Sequence, residues 1–327
     1  MHDIYFLPEY GKLCELVDGG TCHEFVLKDE CGTVRNQFIK RPTPYLIDGV
    51  QYYDIVTPYG YGGPMIYEAT DKAELLKRYE AAFAEYCAEN NIVCEFVRFH
   101  PIYQNYKDFE PVYHGVFSRN TVGTNLKDFE DPVQKEFAKS ARREVRRAGE
   151  AGVECVIVRA PENLDAFRRL YEETMGRNNA SAMYYFPSEY YTMLTTDLRE
   201  NVLEIQVRYN GEIIASEIYF ICGDLMHAHL LGSSQALFEL GGGAILEAAA
   251  ARWGKENGFR YIHHGGGRSS DPNDSLYMYK IKFGKHTRFD FYIGKKVWLT
   301  DVYESLVARR LQDGPIENEG FFPIYRG

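Results

Sequence analysis

No stretch of the 327-residue chain stays apolar for the roughly 18 to 20 residues that a membrane-crossing helix needs. The opening residues, MHDIYFLPEYGK, have neither a basic leader nor an apolar core, so no secretory signal is expected and the chain reads as soluble and cytoplasmic. Its seven cysteines (Cys14, Cys22, Cys31, Cys87, Cys94, Cys155 and Cys222) are odd in number and lack C-x-x-C spacing. A disulfide framework and a zinc site are therefore not indicated, reduced core cysteines are expected, and no metal is assigned. An excess of positive charge is missing too: the net charge of −10 opposes whole-protein attraction to nucleic acid or anionic membrane. What remains is globular in kind, at 45% hydrophobic and 26% charged residues, and long enough for two domains of ordinary size.

One local basic patch stands against that acidic background. Asp131-Pro132 is a good helix start, and VQKEFAKSARREVRRAG then places Val133, Phe137, Ala141, Val145 and Ala148 on one stripe. Lys135, Lys139, Arg142, Arg143 and Arg146 fall opposite, with Arg147 at the edge. That face suits phosphates of RNA or of a nucleotide-linked substrate, and it is equally what a solvated helix presents.

Two halves follow the same grammar. In the first, YGYGGP (59–64) leads to a helix beginning near Thr70 or Asp71, and the strand IVCEFVRFHP (92–101) follows. In the second, LGGG (240–243) leads to an alanine-rich helix that KENG stops, and the strand FRYIHHGGG (259–267) follows. The pairing of AENNIVCEFVRFHP with GKENGFRYIHHGG reads as an internal repeat. Within the second half, a strand over 153–160 precedes helices near 163–176 and 188–200. Three strand-forming runs, split by Asn210-Gly211 and Gly223-Asp224, predict an antiparallel meander. A short helix, LYMYKIKF, and a last strand, RFDFYIGKKVW, complete a mixed α/β order.

The glycine clusters carry the chemistry. A helix N-terminus leaves amides unpaired and partly positive, and glycines at 241, 242 and 243 let an anion approach them. The same glycines, with Ala248 to Ala251, also suit tight packing of helix on sheet. Candidate proton acceptors are Glu217, the histidines His227 and His229 on one strand, and His263 and His264 on the next.

TPYGYGGPMIY and EFVRFHPIYQN in the first half resemble the FemA/FemB/FemX-like transferases, which carry the N-acetyltransferase (GNAT) fold in tandem. KSARREVRRAGEAGVE, YEETMGRNNASAMYYFPSEYY and YMYKIKFGK in the second half carry the same resemblance. It implies an α/β protein with mixed sheets and two GNAT-like domains side by side. Residues 1–118 form the first, expected to be degenerate, and 119–327 the second, expected to hold the donor site. The activity implied is transfer of an acyl or aminoacyl group to an amine of a cell-wall or surface-glycan precursor. No tightly bound cofactor is implied, only a donor substrate, acyl-CoA or aminoacyl-tRNA, with tRNA meeting the Lys135–Arg147 face. Phe238 stands where acyl-CoA-dependent GNAT loops carry Arg or Gln, which weakens the case for coenzyme A. An acyl-CoA-dependent GNAT N-acetyltransferase acting on a small molecule is the alternative, and a non-catalytic GNAT-fold module that binds an anionic ligand stays open because of Phe238.

By the same resemblance, backbone amides between His229 and Ser233, including Leu231, steady the carbonyl oxygen, and Gly241, Gly242 and Gly243 receive the donor. Lys280 matches the family's lysine and Tyr279 replaces its phenylalanine, placing charge stabilisation and leaving-group protonation there. His229 and Glu217 are candidate bases. Tyr61, Arg98, Arg177, Tyr184 and His263 are candidate acceptor contacts.

Overall fold

The structure is a computed structural model that describes residues 3–240, 242–318 and 320–327, with Phe238 and Glu239 described through their backbone alone. The chain first forms α1 (Pro8–Asp18), β1 (Thr21–Asp29), β2 (Gly32–Ile47), β3 (Val50–Val56), β4 (Met65–Ala69), α2 (Lys72–Glu89), β5 (Ile92–Arg98) and α3 (Tyr106–Tyr113). After β6 (Val116–Asn125) come α4 (Pro132–Glu136), α5 (Lys139–Glu150), β7 (Glu154–Arg159), α6 (Asp165–Arg177) and α7 (Ser188–Thr195). The meander is β8 (Val202–Tyr209), β9 (Glu212–Cys222) and β10 (Leu225–Ser233). Then follow α8 (Gln235–Leu240), α9 (Ala244–Glu256), β11 (Tyr261–Gly265), α10 (Ser275–Lys280), β12 (Arg288–Val297) and α11 (Thr300–Gln312).

These elements make two compact units. One is Tyr5–Ser118 with Asp290–Gly327; the other is Arg119–Phe289 with Asp3 and Ile4. Sequence order places all of 119–327 in one domain. The segment from Asp290 onward instead joins the first half, because Ile293 to Val297 of β12 pair with Arg98 to Cys94 of β5. A strand is held by its ladder rather than by its place in the chain, and sequence order cannot show which partner it takes.

In the first unit β1, β2 and β3 run antiparallel, β5 joins β3 in parallel, and β12 closes on β5 antiparallel. α2 buries Leu75, Leu76, Tyr79, Phe83 and Cys87, the stripe its spacing predicts, and Asp71 caps it by accepting from the Glu74 amide. Its glycine loop is filled by its own unit. A Cβ on Gly60 would stand 2.5 Å from the Tyr5 ring and one on Gly63 2.5 Å from Val97. Asn105 donates to the carbonyls of Gly62 and Pro64.

In the second unit the ladder runs β6, β11, β10, β9, β8, β7; β11 lies parallel to β10 and antiparallel to β6. The sequence repeat thus has a structural counterpart: α2 then β5, and α9 then β11, each set their strand between a parallel and an antiparallel neighbour. The alanine run lets α9 come close to the sheet, burying Ala244, Ala248, Ala250 and Ala251. A Cβ on Gly254 would stand 2.6 Å from Met226 Sδ.

The basic helix differs from expectation. It breaks at Phe137, whose ψ of 137° is extended, and restarts at Lys139. Phe137 leaves the spiral to set its ring edge-on to Phe283, centroids 5.3 Å apart, and Arg142 donates to the Gln134 and Phe137 carbonyls that the break leaves open. Glu136 anchors the turn from full burial, accepting from the amides of Asn125 and His286 and from the Thr287 hydroxyl. The helix expected over 188–200 also stops early, at Thr195, with a separate 3-10 turn over Arg199–Asn201.

Removing the Glu136 carboxylate orphans several buried donors, so Glu136→Ala is expected to lower unfolding stability by about 2–4 kcal/mol. Arg146→Ala, on the exposed face of α5, is expected to change it by under about 0.5 kcal/mol. Urea melts of the two variants compare them directly.

Candidate functional site

β10 and β11 pair only through Leu225↔Tyr261, Met226↔Ile262 and His227↔His263. Past that point β10 shifts register against β9 between Ala228 and Leu230, leaving His229 as the extra residue. β11 shifts against β6 between His263 and Gly265, leaving His264 extra, with Gly265 at φ +74° to make the turn. Each strand therefore carries a bulged histidine where the two part.

Alternation along the strands sorts side chains onto opposite faces. On one face His227 Nε2 lies 2.8 Å from Asp3, His263 Nε2 lies 2.9 Å from Thr121 Oγ1, and His229 meets the Tyr190 hydroxyl and the Phe220 ring. Burial pushes the His229 imidazole down to about 3, so it stays neutral at physiological pH and is a weak base. That counts against the general-base role expected for it.

The other face, beneath α9, collects polar groups that are rarely buried together. The Tyr219 hydroxyl donates to Glu217 Oε2 at 2.7 Å and lies 3.2 Å from Glu247 Oε2. His264 sets Nδ1 3.3 Å from Glu247 Oε2 and Nε2 2.8 Å from Thr124 Oγ1. Lys280, at the end of α10, donates from Nζ to the Gly266 carbonyl at 3.0 Å. Desolvation raises both glutamates, and for Glu217 the charge of Glu247 raises it further. Desolvation lowers Lys280 to about 8, against the pull of Glu247 and Glu217. Burial likewise raises Tyr279, with Glu247, Glu217 and Glu144 adding to it.

The glycines beside this cluster differ from expectation. Gly242, at φ +77°, donates its amide to the Leu237 carbonyl at 2.8 Å and closes α8, so that amide is not bare. Gly243 is the N-cap of α9 and offers no side chain to its amides. A Cβ there would stand 2.6 Å from Tyr279 Oη, so the glycine makes room for a phenol at the helix end. Gly241 lies outside the described residues. The second triplet has equally specific reasons: Gly266 presents the carbonyl that holds Lys280, and a Cβ on Gly267 would meet Asp274 Oδ1 at 2.6 Å.

Lys280, Tyr279 and Glu217 thus come together. Leu231 faces Glu217 across the β10–β9 ladder. Ser233 is spent elsewhere: its amide donates to Thr174 Oγ1 at 2.8 Å and its carbonyl accepts from Arg177, so it is no free oxyanion donor. Arg177 and Tyr184 are exposed near the end of α6 and in the turn after it. Tyr61 and Arg98 belong to the other unit, where Tyr61 packs on Phe291 and Arg98 donates to the Thr57 carbonyl at 2.6 Å. Glu247, Tyr219 and Thr124 were not singled out from the sequence. The one available sign was a lone glutamate, Glu247, inside the apolar run AILEAAAA.

Residues 135–280 match the acetyltransferase (GNAT) domain family. FemX superposes on the chain at a TM-score of 0.69 and 13% identity, over 92% of this chain and 94% of that one. The chain has the FemAB-like GNAT fold. L-PGS from Bacillus licheniformis shares it at TM-score 0.54 and 17% identity, over 89% and 92% of the two chains. A tandem GNAT protein from the clavulanic acid biosynthesis pathway does so at 0.50 and 9%, over 88% and 94%. No curated protein matches the chain by sequence. The GNAT match ends on Lys280 and spans the bulged strand β10, α9 and most of the polar cluster. Among the described residues, no helix is long and apolar enough to cross a membrane.

Gly243→Ala is expected to swing the Tyr279 hydroxyl away from the N-terminus of α9 at a stability cost below about 1 kcal/mol, since the φ of −74° suits alanine. A crystal structure of the variant with Tyr279 unmoved would contradict the close approach.

Proposed function

We propose that the second unit transfers an acyl or aminoacyl group to an amine of a cell-wall or surface-glycan precursor. The observation that carries this reading is Lys280, tethered to the Gly266 carbonyl, with the Tyr279 hydroxyl at the uncapped start of α9. In such a transfer the amine nitrogen bonds to the carbonyl carbon and the bond to the leaving oxygen or sulfur breaks. Negative charge grows first on the carbonyl oxygen, where the Lys280 ammonium offsets it, and then on the leaving atom, which Tyr279 protonates. Carboxyl groups beside Lys280, Glu217 among them, favour its cationic form against desolvation. The amine's proton leaves to water, because a His229 pushed down to about 3 holds it poorly, and a proton from water restores the Tyr279 phenol.

For the donor, an aminoacyl-tRNA fits better than acyl-CoA. The Gly242 amide is already bonded and Tyr279 fills the space at Gly243, which leaves little for a pyrophosphate to grip. α5 meanwhile borders a groove of about 490 Å³ lined by Ser140, Arg143, Glu144, Arg146, Arg147 and Glu150, suited to a phosphate backbone. The acceptor then meets exposed Arg177 and Tyr184.

Calorimetric titration with charged tRNA and with acetyl-CoA tests the donor. tRNA binding is expected to weaken about tenfold or more when Arg143, Arg146 and Arg147 are changed together to alanine. Tighter binding of acetyl-CoA reverses the donor assignment, and binding of neither favours a module without turnover. Lys280→Ala is expected to lower turnover about 100-fold or more with donor affinity little changed. Wild-type turnover should fall as pH rises through about 8, where Lys280 loses its proton.

A further inference from the structure

Proton counting fixes the state of the polar cluster. Thr124 has one hydroxyl proton, and it goes to the Phe283 carbonyl at 2.7 Å, because two bare oxygens do not sit that close. The Thr124 oxygen must therefore accept from His264, whose Nε2 lies 2.8 Å away and carries the ring proton. In a neutral imidazole Nδ1 is then a bare lone pair. It is buried, finds no hydrogen-bond donor placed toward it, and stands 3.3 Å from Glu247 Oε2. Tyr219, 2.7 Å from Glu217 Oε2 and 3.2 Å from Glu247 Oε2, places its proton toward carboxyl oxygens and not toward Nδ1.

An ionised Glu247 would set its negative oxygen against that lone pair in a site 95% or more shielded at both residues. The alternative, an imidazolium paired to a carboxylate, would bury a second cation beside the Lys280 ammonium. We propose that Glu247 is a carboxylic acid that donates its proton to His264 Nδ1, a positioning residue that removes one negative charge from beside Lys280. The ionisable groups around it are Glu217 and Tyr219 on β9, His264 on β11, and Tyr279 and Lys280 on α10, while Glu144 on α5 acts on Tyr279. Burial pushes His264 down to about 3 and Glu247 up to about 7, and burial followed by the charge of Glu247 raises Glu217 as well. The catalytic consequence rests on the transferase reading above: a neutral Glu247 takes out of the Lys280 corner one negative charge that would oppose charge growing on the carbonyl oxygen.

The state itself can be read without substrate, so its failure and that of the transferase reading are distinguishable. In the full chain with ¹⁵N-labelled histidine, His264 is expected to be the neutral Nε2–H tautomer at pH 6, in wild type and in Glu247→Gln, whose amide also donates to Nδ1. A carboxyl held protonated by folding contributes stability that is present at pH 5 and lost as pH rises through neutrality. Glu247→Gln has no such loss, so its melting temperature should gain on wild type by about 5 °C or more between pH 5 and pH 8. An imidazolium or an Nδ1–H tautomer at pH 6, or a melting difference that stays flat with pH, overturns the proposal. Because the tautomer is read in wild type, a Glu247→Gln chain that fails to fold leaves the first criterion standing.

Discussion

Lys280 brings an ammonium into a corner that also holds Glu217 and Glu247, and little else in the second unit makes sense without that encounter. Three ionisable groups withdrawn from water carry a large desolvation cost, offset only if they face one another and every remaining donor and acceptor is matched. The matching recruits the Gly266 carbonyl for Lys280, the Tyr219 hydroxyl for Glu217 and the Thr124–His264 pair for Glu247. Those partners sit on β6, β9, β11 and the turn after β11, so the cluster ties α10 to the elements that must hold still while β10 and β11 part.

The separation of these strands and the cluster are two sides of one arrangement. Bulges at His229 and His264 turn both strands just where their pairing ends, and Gly265 supplies the left-handed backbone that a side chain would resist. On the far face Asp3, Thr121 and Tyr190 hold His227, His263 and His229. The histidines that looked most like catalysts in the sequence are therefore committed to holding strand ends. Of the glycines that looked like an open anion seat, Gly242 turns the backbone onto the Leu237 carbonyl and Gly243 makes room for Tyr279.

The two units use similar grammar for different ends. Both place a helix and then a strand between one parallel and one antiparallel neighbour. In the first unit, however, the helix is capped by Asp71 and the glycine loop is packed with Tyr5, Val97 and Asn105. Its own buried glutamate, Glu95, is bonded by Asn36, Tyr113 and Trp298 within a core of aromatic rings. In the second unit the equivalent helix starts at a glycine with no side-chain cap.

Local pattern was enough to read much of this from the chain alone. Helical spacing gave α2, α6 and α9, turn residues gave the meander β8 to β10, and the run of glycines and alanines marked where backbone comes close to its neighbours, because those signals act within a few residues. Only the tertiary structure decided which groups meet. Glu247 lies on the buried side of an alanine helix, Gly243 faces a tyrosine 36 positions on, β12 returns to β5, and the basic helix breaks so that Phe137 can reach Phe283. Each depends on which distant residue shares a desolvated space, and the cost of burying a charge or a ring is set by that company, not by the residue's neighbours in sequence.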